Sequence, residues 1–362
     1  MDHRRDHARR RREKIFKGVV TNSADLKVHY VRVNRFFGQR TSEVKDAINI
    51  ANSELTIHLH EKICVIYDQN EQEVIGIIQF LPFREMSNKK FKELEEISKY
   101  LAEERRFCQE IMGNAFQRSG HMYALGWTAA FHKKYFYATY LPPLHIRDDP
   151  IACKELMARL PFREDIENFY ISEFGSLSKH FLKIQQEQTR ELKVPTLGQL
   201  TENKEDDKTG LGSNLTFTFE SFSNVPHQDH DVSKTTFFLS VPVFNNGKLA
   251  CHSEGFDVIN GRLLFNDWGI AADLGSCDGA VTVIYFGNKD RHCTLPSQEP
   301  SGRFTGLSSS VQISKRLFER VTAYATPESQ LGKGKSVASP ENLVLEYSKD
   351  LVQCFSDFNI IV

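Results

Sequence analysis

Apolar and polar positions change character twice along the chain, which divides the sequence into three regions. In the first region, short apolar runs of the kind that form strands alternate with polar turns. These runs are Leu26 to Val33, Thr56 to His58, Ile63 to Tyr67 and Val74 to Phe80. The last two runs flank the polar segment 68–72, so we predict a β-hairpin there.

The second region has the spacing of helices. From Lys89 to Met112, apolar side chains recur every three or four residues with charges between them, which predicts an amphipathic helix. The stretch from Glu164 to Leu192 has the same pattern and predicts a second helical segment, broken near Gly175. We interpret these helices as a layer that supports a site elsewhere.

The third region is rich in strands. After a polar segment at 201–212, which predicts an exposed loop, six β-like runs follow at short intervals. They are Leu215 to Phe222, Thr235 to Val243, Phe256 to Ile259, Arg262 to Phe265, Ala280 to Phe286 and Ser308 to Ile313. This pattern is typical of an antiparallel barrel or jelly roll, so the fold class is predicted as α+β.

These regions predict four segments of chain. They are a basic N-terminal segment at 1–20, an α/β region at 21–212 that supports the core, the β-rich core at 213–325, and a linker with a terminal helix at 326–362. A short helix from Ser314 to Tyr324 closes the core region.

Composition narrows the class of protein. Of the 362 residues, 40% are hydrophobic and 26% are charged, which is typical of a globular protein rather than a disordered one. The longest apolar run, Phe237 to Phe244, is far shorter than the roughly 18 to 20 residues of a membrane helix. The N-terminus is charged and lacks an apolar signal segment, so we expect a reducing compartment and no membrane association.

The cysteines give no sign of a zinc site, and the charges leave the role of one basic cluster open. The seven cysteines are odd in number and include no C-x-x-C pair, so no zinc site is evident and we expect mostly buried thiols. The net charge is -1, although residues 1–14 carry seven basic and three acidic residues. The cluster from Arg9 to Arg12 is typical of a nuclear address or a phosphate contact, and equally of a solvated helix start.

Candidate chemistry lies in one H-x-D motif at the end of a predicted strand. His227 and Asp229, with a distal histidine, would form the two-histidine, one-carboxylate triad that binds Fe(II) in non-haem oxygenases. His292 is the predicted third ligand, because several β-like runs separate it from Asp229 and allow the chain to return to the same barrel mouth. His252 follows Asp229 too closely for this, and His230 is predicted to point to the opposite strand face.

An arginine beside the distal histidine could clamp the far carboxylate of a dicarboxylate co-substrate in a bidentate pair. Arg303 is the candidate, because it follows the turn-forming Pro296, Pro300 and Gly302, where the last barrel strand is predicted to begin.

The stretch from Ser213 to Asp229, followed by 235–240, resembles the metal strand of the ten-eleven-translocation and J-binding-protein (TET/JBP) dioxygenases. Segments 261–267, 279–286 and 292–294 continue this resemblance, and 126–127 with 136–142 resemble the fungal, transposon-associated branch. The resemblance covers about half of the chain, roughly from residue 120 to 315.

The resemblance implies a double-stranded β-helix that holds Fe(II) and 2-oxoglutarate and uses O2 to oxidise a methyl group on a base in DNA. It implies His227, Asp229 and His292 as ligands and Arg303 as the distal clamp. A second arginine is implied for the near carboxylate, with Arg163 and Arg190 among the candidates. Family members often place a polar base contact where Val232 stands here, so Asp231 and His230 are the substitute substrate contacts.

The expected function is therefore oxidation of 5-methylcytosine in methylated double-stranded DNA, by a monomer in the nucleus. Demethylation of N6-methyladenine by the same chemistry is the first alternative. A 2-oxoglutarate-dependent protein hydroxylase, a repair enzyme for alkylated bases, and a non-enzymatic β-barrel binding module stay open as well, because a scaffold does not choose its substrate.

Overall fold

The computed structural model describes residues 16, 18–22, 26–34, 43–60, 62–68, 73–111, 117–129, 137–192, 194–199 and 210–325. The basic cluster from Arg9 to Arg12, most of the predicted loop at 201–212 and the predicted C-terminal linker and helix lie outside these residues. The boundaries assigned to the four segments remain predictions.

The helices are α1 (Val44–Ala51), α2 (Asn88–Glu104), α3 (Leu144–Arg147), α4 (Pro150–Arg159), α5 (Phe162–Leu177), α6 (Lys179–Leu192) and α7 (Lys315–Ala325). The strands are β1 (His29–Val33), β2 (Ile57–Leu59), β3 (Ile63–Asp68), β4 (Val74–Pro82), β5 (Gln117–Ala129), β6 (Tyr137–Thr139), β7 (Asn214–Asn224), β8 (Thr236–Phe244), β9 (Ile259–Asn260), β10 (Leu263–Phe265), β11 (Ile270–Ala272), β12 (Gly279–Tyr285), β13 (His292–Thr294), β14 (Ser297–Gln298) and β15 (Phe304–Gln312).

Two facing sheets form the core. The large sheet has the order β1-β3-β4-β12-β8-β15-β7-β5-β6, and a smaller sheet has the order β13-β10-β11-β2. Side chains of both sheets meet in one buried cluster, in which Phe238, Val283 and Tyr285 pack with Leu263 and Phe265. The antiparallel run β12-β8-β15-β7 opposite β13-β10-β11 is a double-stranded β-helix, so the predicted α+β jelly-roll class is confirmed.

Helices cover the outer face of the large sheet. Phe174 of α5 stacks on Phe237 of β8 with ring centroids 5.0 Å apart, and Leu239 and Leu307 belong to the same buried cluster. Because neighbouring residues of a strand point to opposite faces, the residues between them face the inside of the barrel. This alternation decides which side chains reach the site.

The predicted hairpin is present, since β3 and β4 pair in antiparallel register. The first predicted helix is shorter than expected: α2 ends at Glu104, and the chain then extends so that the Ile111 N–H donates to the Met122 carbonyl oxygen at 2.8 Å. Pairing with β5 therefore replaces the last helical turn.

The second helical segment breaks at Ser178 rather than at Gly175. Ser178 has extended backbone angles, and its hydroxyl accepts a hydrogen bond from the Phe181 N–H at 3.2 Å, which caps α6. Gly175 has a different role, because a Cβ there would lie 3.0 Å from Leu182 Cδ2. It lets the two helices approach closely.

Among the described residues, no helix is long and apolar enough to cross a membrane. Their cysteines are all free thiols, and all but Cys251 are buried.

Candidate metal centre

Three side chains meet at the mouth of the barrel, where the chain leaves β7 and where β13 begins. His227 Nε2 lies 3.4 Å from Asp229 Oδ1, and His292 Nε2 lies 3.6 Å from the same oxygen. One donor atom from each residue falls within 4.8 Å of the others. The predicted pairing of the H-x-D motif with the distal histidine is thus present in space.

Backbone hydrogen bonds set the orientation of both imidazole rings. His227 Nδ1 lies 2.9 Å from the Val225 carbonyl oxygen, and His292 Nδ1 lies 3.1 Å from that of Asp290. A carbonyl oxygen only accepts, so each Nδ1 carries the proton and each Nε2 keeps its lone pair for a metal.

The segments that carry the two histidines are also joined to each other. The His227 N–H donates to the His292 carbonyl oxygen at 3.0 Å, and the His292 N–H donates to that of His227 at 2.9 Å. The Asp229 N–H donates to the Gly287 carbonyl oxygen at 2.8 Å. Main-chain bonds therefore fix the backbone that carries each of the three side chains.

Gly287 allows the carboxylate of Asp229 to lie where it does. A Cβ at Gly287 would stand 2.1 Å from Asp229 Oδ2 and 2.9 Å from Thr236 Oγ1. No real Cβ tolerates such contacts, so only glycine fits at this position. Sequence reasoning did not single out Gly287, because a glycine after a strand reads as an ordinary turn.

Burial and neighbouring charges shift the pKa values of several groups around the triad. Burial opposes ionisation of Asp229, but the His292 and His227 imidazoles outweigh it and hold the pKa of that carboxyl well below its usual range. Burial and the nearby Asp229 charge raise the pKa of Asp231 to about 8. Burial also raises the pKa of Tyr285 well above its ordinary value.

A cavity of about 350 Å³ opens beside the three side chains. Its walls include Tyr285, whose hydroxyl lies 3.4 Å from His292 Nε2, and the apolar Phe238 and Leu263. The opposite wall consists of the inward residues of β7 and β15, which are mostly hydroxyl-bearing or amide side chains. They are Asn214, Thr216, Thr218, Ser308, Ser310 and Gln312.

Arg303 does not reach this cavity. It is exposed, one residue before β15 begins, and its guanidinium lies over the Phe304 ring, 5.0 Å from the centroid. Counting along the strand, it shares the face of Leu307 and Val311, which pack toward the helices, while Ser308 and Ser310 face inward. β15 begins at Phe304, directly after Arg303, and the alternation of side chains along the strand places the arginine on the outer face.

Some of the other predicted site residues line the cavity and some do not. Asp231 and His230 both line the cavity, Asp231 buried and His230 exposed at the rim. Arg163 and Arg190 do not line it. No lysine or arginine is found among the described residues that form its walls.

His252 lies elsewhere, with Nδ1 3.6 Å from Asp278 Oδ1.

Comparison with known proteins shows the family to which this chain belongs. A model described as the Tet-like 2OG-Fe(II) oxygenase superfamily matches residues 87–297, more than half of the chain. No curated protein matches the chain. Among solved structures, one titled "The structure of OsALKBH1" is similar at 12% identity and a TM-score of 0.32, over 66% of this chain and 96% of that one, a likeness too distant to carry an argument.

Proposed function

Because this chain belongs to the Tet-like 2OG-Fe(II) oxygenase superfamily, we propose that it oxidises the methyl group of 5-methylcytosine in DNA. Membership makes the chain a 2-oxoglutarate-dependent non-haem iron dioxygenase that uses Fe(II), 2-oxoglutarate and O2. It sets aside the alternative of a non-enzymatic β-barrel module. The choice of cytosine rests on the family, and the observation that supports a nucleobase in the cavity is a buried acidic group facing it, two residues after the metal carboxylate.

The residues at the barrel mouth fit an iron ion. His227 and His292 would bind it through Nε2 and Asp229 through a carboxylate oxygen, which leaves coordination positions on the cavity side. When bound, iron with 2-oxoglutarate and O2 supplies the oxidation of a C–H bond. The protein holds the ligands by their backbone contacts, and Phe238 and Leu263 shield the cavity from water.

Asp231 is the proposed contact to the base. Its Oδ1 accepts the Ser233 N–H at 3.1 Å, while its buried Oδ2 has no hydrogen-bond partner among the described residues and lies on the cavity wall. A buried carboxyl oxygen without a partner favours a ligand that completes its hydrogen bonding. The Watson–Crick edge of a flipped cytosine, which offers both an exocyclic N–H and an acceptor ring nitrogen, meets this need.

N6-methyladenine is a second candidate substrate, because its Watson–Crick edge also offers an exocyclic N–H and an acceptor ring nitrogen. The Asp231 contact suits both bases equally. His230, exposed at the rim, is proposed to contact whichever base enters.

Contact with DNA phosphates is proposed for Lys315 and Arg316. Both are exposed at the start of α7, directly after Ser314, which lines the cavity. Burial raises the pKa of Tyr140, another residue of the cavity wall, and Arg316 lies close enough for its positive charge to oppose that rise. Cations at the rim of a cavity suit a duplex from which one base has been turned out.

Mass spectrometry of nucleosides tests the substrate. Duplexes that carry 5-methylcytosine or N6-methyladenine would be incubated with the protein, Fe(II) and 2-oxoglutarate, with the Asp229→Ala variant as the control. We expect 5-hydroxymethylcytosine from the first duplex and none from the control. Products from neither duplex, together with 2-oxoglutarate turnover on a peptide, would move the protein to the hydroxylase alternative.

Nuclear localisation and a monomeric state belong to the same proposal. A fluorescent fusion with and without residues 1–14 tests the first, and light scattering of the purified chain tests the second.

A further inference from the structure

The inner face of the large sheet carries its polar side chains in transverse rows. Strand register places Thr216, Ser310 and Phe238 in one row across β7, β15 and β8. The neighbouring row toward the metal residues includes Thr236, paired with Tyr285. The two rows are two residues apart along each strand, which is about 6.6 Å.

The Tyr285 row marks the metal end of the cavity. The hydroxyl of Tyr285 is 3.4 Å from His292 Nε2, and Thr236 Oγ1 lies close to the Gly287 position beside Asp229. A five-carbon 2-oxo diacid that binds the metal through its 2-oxo end would carry its far carboxylate about one row further into the barrel. That position is the row of Thr216 and Ser310.

The two hydroxyls of this row are already paired. Thr216 Oγ1 and Ser310 Oγ are 2.8 Å apart and partly buried. In such a pair one hydroxyl donates to the other, and the remaining proton has only a long contact within the protein, from Thr216 Oγ1 to the Ser310 carbonyl oxygen at 3.5 Å, which a better acceptor can replace. Hydroxyl donors form short, strong bonds to carboxylate oxygens.

No cationic side chain among the described residues competes for this role. The cavity walls contain neither lysine nor arginine in the described part of the chain, and Arg303 lies on the outer face of the same strand. We propose that the Thr216–Ser310 hydroxyl pair binds the far carboxylate of 2-oxoglutarate in place of an arginine. This inference rests on the family's co-substrate and is independent of which base is oxidised.

A pair of ligands isolates the far carboxylate experimentally. 2-Oxopentanoate has the same 2-oxo acid end as 2-oxoglutarate, with a methyl group where the far carboxylate would be. Calorimetric titration of the Mn(II)-loaded protein gives the Kd of each ligand without turnover. The ratio of the two Kd values measures what the far carboxylate contributes.

The informative variants are Thr216→Val and Ser310→Ala, which remove the two hydroxyls from different strands. We expect each to raise the Kd for 2-oxoglutarate about 10- to 100-fold and to leave the Kd for 2-oxopentanoate within about twofold. Thr282→Val is the matched control, because Thr282 lies on β12 of the same sheet and its hydroxyl donates to Gln79 at 3.4 Å outside the cavity.

Three results would overturn the proposal. The first is a 2-oxoglutarate Kd that is unchanged in both hydroxyl variants. The second is a rise with Arg303→Ala alone, which would return the clamp to that residue. The third is loss of Mn(II) binding in both hydroxyl variants, which would make the pair a structural requirement of the barrel.

Discussion

At the scale of single residues, the position of Asp229 depends on a neighbour that has no side chain. Gly287→Ala would place a Cβ 2.1 Å from Asp229 Oδ2, so the carboxylate must move away from its place between the two imidazoles. Changes next to a ligand typically cost 10- to 100-fold in metal affinity, and we expect a loss of about that size.

A metal titration monitored by calorimetry measures this loss. Gly275→Ala is the control, because a Cβ there would meet its nearest atom, the Val258 carbonyl oxygen, at an ordinary 3.5 Å. Equal metal affinity in the Gly287→Ala variant and the native protein would show that the carboxylate has room to shift without consequence.

The ligands themselves give a stronger effect. His227→Ala or Asp229→Ala removes one of three ligands, and we expect both stoichiometric Fe(II) binding and turnover to be lost while the circular dichroism spectrum is retained. His252→Ala should leave both intact, since His252 pairs with Asp278 outside the site. If either ligand variant formed as much product as the native protein under metal-controlled conditions, the assignment of that residue as a metal ligand would be wrong.

At the scale of elements, the junction of α5 and α6 depends on a single serine. Ser178 caps α6, and its hydroxyl also donates to the Val19 carbonyl oxygen at 2.5 Å. Ser178→Ala should lower the free energy of unfolding by about 1 to 2 kcal/mol, the usual cost of a lost cap with a buried partner. Urea denaturation measures the change.

Ser176→Ala provides the comparison for this junction. Its hydroxyl bonds only within its own helix, to the Glu173 carbonyl oxygen at 2.8 Å, so its loss should cost less. If Ser176→Ala lowered the free energy of unfolding as much as Ser178→Ala does, the cap of α6 would add no stability beyond that of an ordinary hydroxyl within a helix.

Elements with strong local patterns could be predicted from the sequence, and elements made by pairing could not. The hairpin of β3 and β4 and the strands β8 and β12 have mostly apolar sequences, and β7 has a clear alternation of apolar and polar residues. Strand β5 does not, because Gly120 and Gly126 interrupt it at φ values of 66° and 102°, and only its pairing with β7 makes it a strand. The triad was found because its residue types are diagnostic.

The same distinction explains what was missed within the site. The turn before Arg303 predicts where a strand begins, but it does not predict which face of the strand the arginine takes, because neighbouring residues point to opposite faces. The hydroxyls of Thr216 and Ser310 are common residues with no chemical signature of their own. Only the register between β7 and β15 brings them together.

At the scale of the whole molecule, the proposed contact with DNA can be tested through the charges that follow Ser314 of the cavity wall. Lys315→Glu and Arg316→Glu should each weaken duplex binding and reduce the slope of log K against log salt by about 1 per lost phosphate contact. Lys89→Glu, a similar change on exposed α2, serves as the control. Fluorescence anisotropy over a range of salt concentrations measures both. Equal slopes in all three variants would place the phosphate contacts elsewhere.

The reciprocal main-chain bonds between His227 and His292 also bear on how the protein responds to chelation. Because main-chain bonds join the two ligand segments, we expect the metal-free chain to be preorganised and to fold without the ion. Removing the ion should shift the thermal midpoint only by the mass-action amount, RT ln(1 + [metal]/Kd), and leave the spectrum of the folded state unchanged. Scanning calorimetry before and after chelation decides this. Cooperative unfolding on chelation at room temperature would instead make the ion part of the fold.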